Sequence, residues 1–255
     1  MSGLDRRSLL KRGLAVASAA LLGGCDNLSS QPWVRRILAS EETLTRAAQR
    51  ALLSPKALAR EYSEADLSKD FKANGSINPQ DRDYLRLAAN NFADWKLEVG
   101  GLVGEPLFLS LDDLRAMPSR TQITRHDCVE GWSCIGKWKG VPLSAVLERA
   151  KMKPDARYVV FDCADTLGLR TGDKYYESIG LKDAFHAQTI LAYEMNDQVL
   201  PVPHGAPLRV RIERQLGYKM AKYIMRIEAV DSLDGIRGGQ GGFWEDRGYA
   251  WYAGI

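Results

Sequence analysis

Between Trp95 and Val230 the apolar residues recur mostly with a period of two, and this limits the chain to a strand-dominated fold. Trp95-Lys96-Leu97-Glu98-Val99 alternates as a half-buried strand does. Arg157 to Cys163 carries Tyr158, Val159, Val160 and Phe161 in one run, the pattern of a strand covered on both faces. Thr189 to Met195 and Val199 to Val202 flank Asn196-Asp197 and read as a hairpin. Leu208, Val210 and Ile212 alternate with Arg209, Arg211 and Glu213, and Tyr223 to Val230 is the last clear strand. Helical signals are short: Ser110-Leu111-Asp112-Asp113 is a capped start, and Pro142 to Lys151 is amphipathic. Regular β-α-β alternation is missing, which argues against a doubly wound nucleotide-binding fold. The expected class is α+β, with mixed sheets and a few short helices.

Four segments are expected along the chain. Residues 1–25 read as an address rather than as structure. Arg6-Arg7-Ser8-Leu9-Leu10-Lys11 is a twin-arginine pattern followed by an uncharged stretch, Gly13 to Gly24, and Leu21-Leu22-Gly23-Gly24-Cys25 resembles a lipobox. The expected location is periplasmic, after passage through the twin-arginine translocase, with acyl chains on Cys25 holding the protein at a membrane surface. Residues 26–82 form an extension. Val34, Ile37, Leu38, Leu44, Ala48 and Leu52 recur at helical spacing, so residues 32–63 read as helices, interrupted at Pro55. Glu64 to Arg82 is polar and turn-rich, a linker or a strap over the main domain. Residues 83–232 are that domain, and 233–255 form a tail, Gly-rich and then aromatic. The glycines of the tail suggest mobility, and its aromatics suggest an edge that docks on something. No apolar run reaches the roughly 20 residues of a membrane span. A net charge of +3 is too small to argue for nucleic acid.

The signatures of phosphate loops, serine hydrolases, zinc proteases and c-type haem attachment are absent. What stands out is Arg125-His126-Asp127-Cys128-Val129-Glu130-Gly131-Trp132-Ser133, followed by Trp138-Lys139-Gly140-Val141-Pro142-Leu143. Cys128 is expected in a loop between an extended segment and a helix. Setting Cys25 aside leaves Cys128, Cys134 and Cys163, an odd number, so one thiol is unpaired. From the residues alone three readings of Cys128 stand open: a disulfide to Cys134, a buried inert thiol, or a reactive or metal-binding thiolate. Arg125 and His126 favour the thiolate by their charge, and Asp127 and Glu130 oppose it.

The two runs resemble the metal loop of the sulfite-oxidase-like molybdopterin family, and in particular its periplasmic methionine-sulfoxide reductase branch. There a Cys-Val-Glu-small-Trp-Ser run carries the ligand cysteine and a Trp-x-Gly-x-Pro-Leu run follows. The similarity extends from about Asn90 to Val230. It implies a sulfite-oxidase-like molybdopterin-binding fold, with Cys128 as the one protein ligand to molybdenum and Glu130 beside it, tuning the ligand field or relaying protons. A soft thiolate suits a site whose other sulfurs come from the cofactor.

The resemblance also implies pterin and phosphate contacts. Asn90, in Asn90-Asn91-Phe92, matches a pterin-binding asparagine, with Asp94 a further contact. Cys163 falls where the relatives carry threonine beside the cofactor. His204-Gly205-Ala206-Pro207-Leu208-Arg209 and Gly217-Tyr218-Lys219-Met220-Ala221-Lys222 match two more cofactor blocks. They make His204, Arg209, Tyr218, Lys219 and Lys222 the remaining candidates. The activity implied is oxygen-atom transfer, with reduction of small or protein-bound sulfoxides ahead of sulfite oxidation. Arg125 and Arg170 are the candidate cations for a sulfite site, and Trp132 is the candidate apolar wall for a sulfoxide. With no haem motif in the chain, electrons must come from a haem-containing partner, a membrane cytochrome b subunit or a soluble cytochrome. A metal-free, lipid-anchored binding module is the alternative from another class; the intact Cys128, Arg209 and Lys222 argue against it.

Overall fold

A computed structural model describes residues 56–167 and 172–255, with scattered positions between 31 and 54. The chain divides into two units, Met1–Leu52 and Leu53–Ile255. In the first, positions 33–34, 44–45 and 47–48 are helical, and most of the helical extension lies outside the described residues, as do Arg6, Arg7, Cys25 and Arg170. Among the described residues no helix is long and apolar enough to cross a membrane.

The second unit is built on two five-stranded sheets. One has the order β2 (Leu107–Ser110), β1 (Lys96–Gly101), β10 (Ile224–Val230), β5 (Tyr158–Thr166), β6 (Lys174–Gly180). Only β1 and β10 are parallel; the other pairs are antiparallel. The other sheet has β3 (Arg120–Asp127), β4 (Ser133–Pro142), β7 (Ile190–Met195) and β8 (Gln198–Val199), with β9 (Arg209–Arg211) also paired to β7. Short helices close the gaps: α1 (Arg82–Ala89), α2 (Leu111–Arg115), α3 (Leu143–Arg149) and α4 (Leu181–Ala184). The α+β class is thereby observed. Ser110 caps α2 through a reciprocal bond with Asp113. Asn196 and Asp197 take φ of 50° and 60°, the left-handed pair that a two-residue hairpin requires. In β5, Val159, Val160, Phe161, Cys163 and Ala164 are all buried, so neither face is wet.

Three elements differ from expectation. Residues 57–63 run extended rather than helical. Cys128 sits in a β3–β4 hairpin, not before a helix; β4 continues to Pro142 and only then does α3 begin. And β3 turns polar residues inward: Gln122, Thr124 and His126 are buried. Gln122 Nε2 donates to Glu213 Oε1 at 2.8 Å, Glu213 accepts two bonds from Arg211, and Arg211 Nη1 lies 3.0 Å from His126 Nδ1. Arg211 and Glu213 are the buried partners of β3, so hydropathy alone mistakes both faces.

Residues 56–81 lie over this unit as a strap. Ala59 N donates to Gln188 Oε1 at 2.7 Å, Ser68 exchanges bonds with Ile135, and Lys222 donates to the carbonyls of Asn74 and Ser76.

Candidate active site

The β3–β4 hairpin ends in a tight loop. Cys128 N donates to Trp132 O at 2.9 Å and Gly131 N donates back to Cys128 O at 3.0 Å. Gly131 has φ of 85°, which a side chain would resist. The loop aims the Cys128 thiol into a cleft, where it is 6% exposed and accepts from Asn74 Nδ2 at 3.3 Å. Burial pushes this thiol above its usual range, with bonds from the loop and from Asn74 opposing. Cys134 and Cys163 are also free, so the disulfide reading is not what the structure holds.

One face of the cleft is cationic. Arg209 comes from β9 with its guanidinium 4.9 Å above the Trp138 ring, and donates to His204 O at 2.9 Å, while its Nε is buried without a partner. Lys222 is held by the backbone carbonyls of Asn74, Ser76 and Pro203. Among the described residues no carboxylate lies within ion-pair distance of either. Burial, with repulsion from Arg211, lowers Arg209 to about 9, and burial, with repulsion from Arg209, lowers Lys222 to about 7. Asp165, at the end of β5, is raised to about 6 by burial, and its Oδ1 is unpaired. Such a pair of buried cations suits an anionic ligand. Gly217 lines the same cleft, and a Cβ there would come within 2.4 Å of the His126 ring, so only glycine lets the two segments approach.

The expected site residues separate at this point. Cys128, Glu130, Arg209, Tyr218 and Lys222 line one cleft. Glu130 stands at its exposed edge, accepting from Trp132 Nε1 at 2.8 Å and 3.7 Å from Lys72. Asn90 does not line it: its amide donates to Asp94 Oδ2 at 2.6 Å where α1 ends, and the asparagine that meets Cys128 is Asn74. Cys163 is buried in the core opposite Ile224, two residues short of Asp165. His204 contributes its carbonyl to Arg209 and packs its ring on Phe71, and burial beside Arg209 lowers it to about 4. Lys219 turns away, fully buried between Glu177 and Glu245. Arg125 is an exposed partner of Asp127, outside the cleft. Trp132 is bound to Glu130 and is likewise no part of the lining; the aromatic side chains of the wall are Tyr175, Tyr218, Trp244 and Tyr249. Sequence reasoning missed Asn74, Asp165, Trp244 and Tyr249. Asn74-Gly75 read only as a turn, and the tail's aromatics read as a docking edge without a destination.

The oxidoreductase molybdopterin binding domain family matches residues 85–234. The chain belongs to this family. It is a molybdopterin-dependent oxidoreductase with the sulfite-oxidase-like fold. A chain of Azospira oryzae named as a protein-methionine-sulfoxide reductase subunit is 36% identical over 249 residues, 98% of this chain and 87% of that one. The protein-methionine-sulfoxide reductase catalytic subunit of Campylobacter jejuni is 30% identical over 66% of this chain and 60% of its own length. That of Ralstonia nicotianae is 37% identical over 54% and 44%. The sulfane dehydrogenase SoxCD of Paracoccus pantotrophus shares the fold, with a TM-score of 0.50 at 23% identity over 55% of this chain and 39% of that one.

The cleft fits the cofactor. Cys128 would give a metal here one soft sulfur, and the pterin would complete its shell. Arg209 and Lys222, uncompensated and with the Arg209 Nε free, suit the cofactor's phosphate.

Proposed function

We propose that this protein reduces sulfoxides, methionine sulfoxide foremost, at a molybdenum centre bound through Cys128. The overall change is R2SO + 2 electrons + 2 protons giving R2S + H2O. The observation that carries the reading is the surroundings of the thiol. The walls of the cleft that holds Cys128 include four aromatic side chains, and the cleft's two cations, Arg209 and Lys222, are those suited to the phosphate. A neutral, half-apolar substrate suits such walls; a dianion such as sulfite does not. When bound, the cofactor supplies a two-electron couple that accepts the sulfoxide oxygen. The chain's residues do the rest. Cys128 provides the soft ligand and the Asn74 amide orients it. Glu130, reachable from water and tied to Trp132, can pass protons inward from its carboxylate. Electrons come from a haem-containing partner, in keeping with the reductase-subunit names of the relatives. Holoenzyme with reduced viologen should turn over methionine sulfoxide, while sulfite with ferricyanide gives little. Rapid sulfite oxidation with no sulfoxide turned over sinks the reading in favour of a sulfite oxidase.

Export as a folded protein and anchoring through an acylated Cys25 belong to the same reading, resting on the Arg6-Arg7 pair and the residues before Cys25. Replacing Arg6 and Arg7 by lysine should leave the protein in the cytoplasm; a normal periplasmic yield of that variant rules out twin-arginine routing.

A further inference from the structure

We infer that the C-terminal segment, residues 233–255, is the specificity element of this enzyme, with Trp244 and Tyr249 binding the apolar substituent of a neutral sulfoxide. The inference rests on the sulfoxide reading above. All but its first two residues lie beyond the matched family domain, which ends at residue 234. It nevertheless lines the cleft that holds Cys128. Trp244 and Tyr249 stack with ring centroids 5.3 Å apart, and Tyr249 meets Tyr218 edge-on at 5.2 Å. The three rings make one continuous surface. Tyr249 is still 40% exposed, so this surface reaches the mouth of the cleft.

A segment this rich in glycine cannot hold rings in place by its own stiffness. Tertiary bonds do so. Lys219 Nζ donates to Glu245 Oε1 at 2.5 Å and also to Glu177, with all three side chains buried. Phe243 N donates to Tyr176 O at 3.0 Å, and Trp251 Nε1 donates to Ser178 Oγ at 2.8 Å. Both acceptors lie on β6, so the wall is fixed to the sheet whose neighbour, β5, carries Asp165 to the cleft.

A sulfoxide has a strong S–O dipole and two carbon substituents. Its oxygen must reach the metal beside Cys128, and its carbon groups gain by leaving water against apolar surface. Rigid rings offer that surface at little cost in side-chain freedom. An anion gains nothing from them and loses hydration. Among methyl sulfoxides, affinity should therefore rise with the apolar area of the second substituent, from dimethyl sulfoxide to methyl phenyl sulfoxide.

The test uses holoenzyme carrying Trp244→Ala or Tyr249→Ala, with Trp244→Phe as the conservative control. KM for methyl phenyl sulfoxide should rise about tenfold, and that for dimethyl sulfoxide about twofold. The change should fall on KM more than on kcat, with molybdenum per chain at the wild-type level and Trp244→Phe restoring most of the loss. An equal factor for all substrates overturns the inference. So does loss of molybdenum with KM unaltered, which would make the segment a clasp for the cofactor. Calorimetric titration with methyl phenyl sulfone, which needs no turnover, separates this inference from the reading beneath it. Weaker sulfone binding in Trp244→Ala, in an enzyme that reduces no sulfoxide, leaves the apolar site standing and removes the proposed reaction. Sulfone binding that is absent from wild type, or equal in both, removes the site.

Discussion

Cys128→Ala is expected to reduce sulfoxide turnover to background and to change the Mo(V) resonance signal, while Cys134→Ala does neither. The thiol of Cys128 faces the cleft with Asn74 Nδ2 at 3.3 Å. Without metal, burial keeps it protonated; a bound cation reverses that, because a coordinating thiol gives up its proton. Alanine removes the one thiol among the cleft's lining residues, and nothing else in the loop is a soft donor. Cys134 is half-buried on β4, its Sγ 3.8 Å from Asp70 O, and Cys134→Ala should shift kcat/KM by no more than about twofold, the range of substitutions outside special features. Equal loss in both variants would point to a structural pairing of the two cysteines. A Cys128→Ala enzyme with normal turnover would remove the metal assignment.

Lys219→Met is expected to produce the largest loss of stability. Its ammonium, fully buried, bridges Glu177 and Glu245, themselves 0% and 1% exposed. Burial drives the Glu177 carboxyl well above its usual range, and Lys219 is the principal group opposing that shift. Removing the cation leaves two buried carboxyls facing each other, a change that costs about 3–5 kcal/mol, or roughly 6–20 °C in Tm for a domain of this size. Glu177→Gln should cost less, because Glu245 still pairs with Lys219 and the Glu177 Oε2 already lacks a partner. Thermal unfolding measures both, and hydrogen exchange locates the damage: backbone amides of residues 243–254 should exchange faster in Lys219→Met before the sheets open. A Tm within a few degrees of wild type would mean that the triad does not hold the tail.

The separate fates of Lys219 and Lys222 show where sequence reasoning stops. Both lie in one short block that resembles a cofactor segment, and the resemblance makes both candidates for contact with the cofactor. The 3-10 turn Gly217–Lys219 sends Tyr218 to the cleft and Lys219 into the core, and Lys222 emerges on the cleft side. Nothing within six residues distinguishes two lysines of equal charge. Their partners, Glu177 and Glu245 for one and the carbonyls of residues 74, 76 and 203 for the other, are distant in the chain. Asn90 and Asn74 part in the same way. Asn90 sits in a motif that reads well, and Asn74 sits in a turn signal, yet the strap carries the second to Cys128.

What is local was legible in the chain. The Ser110 cap, the Asn196-Asp197 turn and the doubly buried β5 each depend on neighbours within about one turn or strand, where backbone preference and side-chain period act directly. The α+β class follows, because strand-period apolar segments with short helices between them have few ways to bury their faces. Which polar groups lie inside follows from the assembled fold. Gln122, His126, Arg211 and Glu213 look like a solvated face in one dimension and are buried because they satisfy one another across strands. The same holds for the cleft's far wall: Trp244 and Tyr249 reach Cys128's cleft because a buried ion triad and bonds to β6 hold a glycine-rich tail in place, and those bonds join residues tens of positions apart. Burial of charge is a property of the assembled partners, and no window of sequence contains them all.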